Sequence, residues 1–286
     1  MEKYIEKAKV LIEALPYIKD FYGKTIVIKY GGSAMLDENI SETIIQDIVL
    51  MKLIGINVVI VHGGGPEINK MLKQLGKEPE FIKGLRVTDE ETMEVVQMVL
   101  TGKVNKDIVG HIQSNGLKAV GISGKDGNLL QAQKKLIDGN DVGYLGEIVS
   151  VDTSLIETLV EKDFIPVISP IGTDNDRNTY NINADYAAAS IAGALKAQKL
   201  IFLTDIEGVL KDINDKSSLI SSLKVSEVSE LTENKVISGG MIPKVDCCVE
   251  AIKKGVKAVH ILDGRIEHSL LLEIFTQKGI GTIVEE

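Results

Sequence analysis

Lys29, Asp185 and Lys244 are the residues of this 286-residue chain whose settings most strongly suggest chemistry. Lys29 ends an apolar, β-rich run and is followed two residues later by Gly31 and Gly32, in TIVIKYGGSAM. An ammonium and two residues without a Cβ, at the carboxyl end of a buried strand, make room for an anionic group there. A second strand-like run ends in HGGGP, residues 62–66, where three glycines let backbone N–H groups approach an anion and Pro66 suits the first position of a helix. A third cluster, SGGMIPK at 238–244, places Lys244 in the first turn of a helix, where it opposes the helix dipole by ~0.3–1 kcal/mol: it either accompanies an anionic ligand or is a solvated surface lysine. Asp185, in NINAD, either favours the start of the alanine-rich helix that follows or holds two lysines in position. Arg86, in KGLRVTD, has the planar fork that suits a carboxylate, although a surface ion pair reads equally well. In LTDIEGVL, Thr204, Asp205 and Gly208 close another strand and are candidate nucleotide contacts, although such a turn is also common structural punctuation.

Several glycine turns with separate lysines describe a site for more than one anionic group. Phosphoryl transfer needs that arrangement, because its transition state spreads charge over three equatorial oxygens and catalysis is mainly positioning and electrostatics. A carboxylate acceptor is already ionised near neutrality and needs no general base. Other chemistries lack their signatures. There is no G-x-x-x-x-G-K-[ST] and no G-x-S-x-G, and the glycines at 63–65 are not continued into G-x-G-x-x-G because position 68 is isoleucine. His62, His111, His260 and His268 have no metal-ligand spacing. DNDRN at 174–178 imitates the start of a calcium loop but is followed by Thr179 where glycine is required.

The elements that must carry these residues read as an α/β fold. Six apolar runs, at 25–30, 57–65, 117–124, 164–170, 199–204 and 257–262, are nearly continuous rather than alternating, as in a mainly parallel sheet covered on both faces. Helical stretches between them predict a three-layer αβα sandwich. One helix is predicted over 90–113, opened by a capping box of Thr88 and Glu91. Residues 126–151, with polar turns around 138–141, predict a hairpin excursion, and the polar segment 171–180 is a soft boundary between two lobes. Tyr4, Ala8, Leu11 and Leu15 share one face of an N-terminal helix that packs either on its own lobe or on another subunit.

Composition sets the outer limits. The net charge of −9 argues against a general binder of nucleic acid or membrane surface, and no apolar run approaches the length of a membrane span. The charged N-terminus does not read as a secretory signal, and the adjacent Cys247 and Cys248 cannot build a disulfide framework, so a reducing, cytoplasmic setting is expected.

IKYGGSAM, VHGGGPEIN, GLRVTDEETMEVVQMVL, VGISGKDGNL, NINADYAA, LTDIEGVL and GGMIPK occur in the order found in acetylglutamate kinases, and the chain resembles that family over residues 24–286. The glycine motifs are shared across the amino acid kinase superfamily, but GLRVTD together with NINAD is far more specific. The resemblance implies phosphorylation of the side-chain carboxylate of N-acetyl-L-glutamate by ATP with Mg2+, the second step of arginine synthesis. By motif, Lys29 and Lys244 would stabilise the transferring phosphoryl group and Asp185 would orient both. Gly64, Gly65, Arg86 and Asn181 would bind the substrate, while Gly32, Gly240, Thr204, Asp205 and Gly208 would belong to the ATP site. The resemblance also implies an oligomerisation helix at 1–23, a substrate-binding and dimerising lobe at 24–175 and an ATP-binding lobe at 176–286. Two features resemble the arginine-inhibited, hexameric branch: the N-terminal helix and HSLLLEIFTQKGIGT at 268–282. There Glu273 and Gly279, with Lys196 or Lys199, would hold the effector, although an ordinary terminal helix and strand fit the same residues. Ser33, at a position where other small or polar residues are common, and Ser123, at a frequent cysteine position, are the departures. A PII-type regulator is left undecided, a different kinase of the same fold, such as a glutamate 5-kinase, is the nearest rival, and a non-catalytic amino-acid sensor is the rival of another class.

Overall fold

The computed structural model describes residues 1–35, 37–276 and 279–286. In chain order, α1 (Glu2–Phe21) precedes β1 (Thr25–Tyr30), α2 (Glu38–Leu53), β2 (Asn57–His62) and α3 (Gly65–Gln74). A small ribbon, β3 (Phe81–Ile82) and β4 (Leu85–Arg86), leads into α4 (Glu90–Gln97), a π-helical stretch (Met98–Val104) and α5 (Asn105–Ser114). Then come β5 (Ala119–Ser123), the hairpin β6 (Leu130–Ile137) and β7 (Asn140–Val151), α6 (Ser154–Glu161), β8 (Ile165–Ser169), β9 (Ile171–Thr173) and β10 (Thr179–Ile182). The remainder is α7 (Ala184–Ala194), β11 (Lys199–Thr204), β12 (Ser222–Lys224), α8 (Val228–Glu233), α9 (Met241–Lys253), β13 (Ala258–Asp263), α10 (Ser269–Ile274) and β14 (Thr282–Glu285).

Eight strands form one sheet in the order β12-β14-β13-β11-β1-β2-β8-β5. Every pairing in it is parallel except β13 with β14. All six predicted core strands lie in this sheet. Strand alternation separates two apolar cores. Ile26, Ile28 and Tyr30 of β1 join residues of α2, α3, α4 and α5 on one face, while Val27 joins α7 and α9 on the other. Lys29 has the parity of Val27. Its side chain therefore points toward α7 and α9, which fixes what it can meet.

The predicted hairpin at 126–151 is β6–β7, and with β9 and β10 it closes a four-stranded barrel. The calcium-loop mimic is the turn between β9 and β10. The Asp174 carboxylate accepts the backbone N–H groups of Asp176 and Asn178, the Asn178 amide and the Tyr180 hydroxyl, which uses its oxygens inside the turn.

Three local expectations are corrected. The helix over 90–113 is not uniform, because residues 98–104 run as π-helix. Thr88 is not its cap: its backbone bridges β7 through Val142 and Tyr144, and Asp89 caps the helix by accepting Thr92 N–H at 2.9 Å. Gly65 rather than Pro66 takes the first position of α3, with Gly64 as its cap.

Candidate active site

Lys29 ends β1, Asp185 lies in the first turn of α7 and Lys244 in the first turn of α9. The Asn183 side chain caps α7 by accepting the N–H groups of Asp185 and Tyr186, which directs Asp185 back toward the strand ends. One Asp185 oxygen lies 3.0 Å from Lys29 Nζ, and the other accepts from Lys244 Nζ at 2.7 Å. These side chains are only 13%, 20% and 14% exposed in the order Lys29, Asp185, Lys244, so the pairs are weakly screened. Burial pushes the Asp185 carboxyl up, but the two ammoniums outweigh it and hold it at about 2. Lys244 Nζ also stands 5.5 Å from the ring centroid of Phe202, the β11 residue beside Lys29 in the sheet. The cluster carries two positive charges against one negative charge. An anionic ligand is its natural complement.

The glycine turns face this cluster. Gly63 N–H donates to Tyr30 O at 2.8 Å, tying the turn after β2 to the one after β1. A Cβ on Gly64 would meet Leu100 Cδ2 at 2.5 Å, whereas one on Gly65 would enter open space. Gly32 has φ of 72°, a left-handed conformation that glycine adopts without a Cβ penalty, and its side-chain direction is open as well. Gly240 caps α9 and is likewise open.

A cavity of about 160 Å3 adjoins the cluster, lined by Gly64, Gly65, Arg86, Asn181 and Ala184 among others. Arg86 is 7% exposed, stacks 4.7 Å from the Phe81 ring centroid and donates through Nη2 to Asn69 Oδ1 at 2.6 Å. Its Nη1 is buried and has no hydrogen-bond partner among the described residues. Burial lowers the guanidinium pKa, but from so high a value that the charge persists. A planar cation with one unused buried edge fits a carboxylate. Asn181 donates to Thr88 Oγ1 at 3.2 Å on the same wall.

The remaining predicted residues divide. Gly208 packs so closely that a Cβ would meet Thr282 Oγ1 at 2.5 Å, and Asp205 is exposed beyond β11. The Thr204 hydroxyl is engaged locally, accepting Ile206 N–H and lying 3.1 Å from the Leu262 carbonyl. Its nearest role is therefore to shape the turn. Lys199, Glu273 and Gly279 converge through a residue the sequence reading did not single out for this site, His260. Glu273 Oε1 accepts His260 Nδ1–H at 2.6 Å, and Lys199 Nζ lies 2.7 Å from His260 Nε2. The other Glu273 oxygen accepts the N–H groups of Ile280 and Gly281. A Cβ on Gly279 would meet that oxygen at 2.6 Å. Lys196 is exposed in the turn after α7 and makes no ion pair among the described residues. Gln277 and Lys278 of the 268–282 segment lie outside the described residues, and nothing is assigned to the Ser33 side chain. Ser123 binds Asp126 through both its N–H and its hydroxyl.

A doubly wound sheet, two glycine turns and a lysine–aspartate–lysine cluster at its strand ends define a class of phosphoryl-transfer enzyme. The chain belongs to the amino acid kinase family, whose model matches residues 24–263. Among its relatives is the acetylglutamate kinase of Thermoanaerobacter pseudethanolicus, 60% identical over 98% of this chain and 93% of that one. Another is the acetylglutamate kinase of Methanococcus aeolicus, 56% identical over 97% of both. Among solved structures, N-acetylglutamate synthase from Neisseria gonorrhoeae complexed with coenzyme A and N-acetyl-glutamate superposes with a TM-score of 0.86 at 30% identity. It matches 98% of this chain, which spans only 63% of the synthase. The same synthase complexed with coenzyme A and L-arginine gives 0.83 at 28% identity.

Proposed function

We propose that this protein is an acetylglutamate kinase: it transfers the γ-phosphoryl group of ATP to the side-chain carboxylate of N-acetyl-L-glutamate, giving N-acetyl-L-glutamyl 5-phosphate for arginine biosynthesis. The observation that carries this reading is the Lys29–Asp185–Lys244 cluster beside the cavity where Arg86 keeps a buried, unpartnered Nη1. The acceptor's α-carboxylate pairs with Arg86 and Asn181, and the Gly64 and Gly65 backbone offers donors where its side-chain carboxylate meets the phosphoryl group. Its side-chain carboxylate oxygen attacks the γ-phosphorus as the bond to the ADP oxygen breaks. No proton moves, so no general base is required. Lys29 and Lys244 neutralise charge on the equatorial oxygens, and Asp185 holds both ammoniums apart and aimed.

Gly32 and Gly240 admit the nucleotide phosphates, and Asp205 and Gly208 belong to the nucleotide side, with Thr204 shaping their turn. Among the described residues no three His, Cys, Asp or Glu side chains converge into a metal cage. The fit is to a Mg2+ whose ligands come mainly from phosphate oxygens and water, where it would neutralise charge on the transferring group. Residues 24–175 act as the acceptor lobe and residues 176–286 as the nucleotide lobe, which puts the transfer between them.

L-Arginine is the proposed inhibitor, held near Glu273, Gly279 and Lys199, with His260 added to that set. Support comes from the buried Glu273 carboxylate, an anion suited to a guanidinium, and from the arginine-bound synthase. Lys196 has less support because it stands outside the His260 network. The N-terminal helix exposes Tyr4, Leu11, Ile12 and Leu15, an apolar surface that fits association of dimers into a hexamer. No helix among the described residues is long and apolar enough to cross a membrane.

The test is ATP-dependent trapping of the acyl phosphate with hydroxylamine, using N-acetyl-L-glutamate, L-glutamate and L-aspartate in parallel, each with and without arginine. Hydroxamate from the acetylated substrate alone, suppressed by arginine, is the expected result. Hydroxamate from free glutamate instead would make this a different kinase of the same fold. Activity indifferent to arginine would remove the effector site alone.

A further inference from the structure

His62 is the last residue of β2 and is fully buried, directly before the glycine turn. Its Nδ1 lies 2.8 Å from the carbonyl oxygen of Gly63, and its Nε2 lies 3.1 Å from Asn105 Nδ2. The same Asn105 nitrogen donates to the Val167 carbonyl at 2.9 Å, while Asn105 Oδ1 accepts from Lys106 Nζ at 3.1 Å. These two partners fix which way the carboxamide faces. The Ile122 carbonyl is a more distant acceptor at 3.4 Å, and because Asn105 Nδ2 can only donate and Gly63 O can only accept, His62 Nε2 is the nitrogen without a proton. The imidazole proton is on Nδ1 and is donated to Gly63 O. Burial lowers the imidazole pKa to about 4, which keeps it neutral at working pH.

The consequence is geometric. The peptide joining Gly63 to Gly64 is planar and trans, so holding its carbonyl directs its N–H the opposite way. Gly63 N–H is already bound to Tyr30 O, so the peptide groups on both sides of Gly63 are pinned. Gly64 N–H has no hydrogen-bond partner among the described residues, and it borders the cavity that holds Arg86 and Asn181. Asn105 is the first residue after the π-helical stretch. One extra residue in a helix rotates everything after it by about 100°. That rotation brings Asn105 onto the sheet and under His62, while Leu100 of the same stretch closes against Gly64.

We propose that His62, held in its Nδ1–H tautomer by Asn105, is a positioning residue that aims Gly64 N–H at an equatorial oxygen of the phosphoryl group as that group passes to the acceptor. The proposal rests on the kinase reading above. Its role is exerted through the backbone and leaves no side-chain contact with substrate. Loss of a preorganised donor costs about 10²–10³ in turnover, and loss of its aim about 10–10². The fall lies in kcat, with substrate KM within about threefold, because the interaction forms fully only in the transition state.

His62→Asn and His62→Gln separate aim from packing. An asparagine amide nitrogen sits where Nδ1 was and can still donate to Gly63 O; a glutamine amide sits where Nε2 was and cannot. Both variants remove ring volume and both are expected to lower the melting temperature. His62→Gln is expected to lose about 10–10² in kcat while His62→Asn stays within about threefold of wild type. Equal losses in the two, or full turnover in His62→Gln, would overturn the proposal. A second measurement uses the unaltered protein: ¹⁵N-resolved NMR of the imidazole at neutral pH, expected to give the Nδ1–H tautomer. An Nε2–H tautomer in an active wild-type enzyme would refute the proposal alone. A wild type that forms no acyl phosphate would instead remove the kinase reading beneath it, whatever the tautomer.

Discussion

Replacing Asp185 by asparagine keeps the shape of the cluster and deletes its only negative charge. Lys29 and Lys244 then face each other across a neutral amide in a site where neither side chain is more than 14% exposed. A carboxyl held at about 2, against an ordinary 3.8, reports about 2–3 kcal/mol of preferential stabilisation of the ion. Removing one partner of a buried pair costs more, about 3–5 kcal/mol, because the remaining charge is left uncompensated. For a chain of this size each kcal/mol moves the melting point by about 2–4 °C. The apo variant is therefore expected to melt roughly 6–20 °C below wild type. The γ-phosphate supplies the missing negative charge, so a non-hydrolysable ATP analogue with Mg2+ should raise the variant's melting point more than it raises wild type's. Differential scanning calorimetry of both proteins, apo and with that analogue at saturation, measures this directly. An apo variant as stable as wild type would refute the electrostatic account of the cluster. So would a nucleotide shift no larger than that of wild type.

The acid limb of stability follows from the same carboxyl: its contribution is complete above pH 3.8 and disappears as pH falls through about 2, so Asp185→Asn should flatten the wild-type loss of stability in that window. Gly64→Ala and Gly65→Ala should divide packing from access. The first drives a Cβ against Leu100 and should cost about 1–3 kcal/mol of stability, measured by chemical denaturation. The second meets nothing within 4 Å and should leave stability intact while raising the acceptor KM in steady-state kinetics. Arg86→Lys keeps the charge but loses the planar fork, so acceptor KM should rise about 10–100-fold with ATP KM little changed.

The sheet was legible because each core strand is a local apolar run ended by glycine or polar residues, as in 57–65 and 199–204. Lys29 was legible as a site residue because an ammonium at such a strand end has no packing explanation. Its partnership with Asp185 and Lys244 spans more than half the chain and was only one of two readings until the fold joined them. Thr88 and Asp89 both carry capping oxygens, and the sequence pattern favoured the wrong one. A backbone bridge to β7, invisible locally, withdraws Thr88 from the helix end. The π-helical stretch escaped for a related reason, since a single extra residue barely disturbs apolar periodicity over 90–113. It nonetheless decides that Asn105 reaches His62, 43 positions earlier. The exposed Lys196 marks where resemblance named a residue whose side chain stays outside the network built around His260.

The central claim is that two ammoniums, aimed by one carboxylate, stabilise the moving phosphoryl group. Its most direct test is kcat of Lys29→Ala and of Lys244→Ala at saturating N-acetyl-L-glutamate and MgATP, with folding checked by circular dichroism. Each variant is expected to keep its fold and lose about 10²–10³ in turnover. Folded variants that both turn over at the wild-type rate would contradict the account.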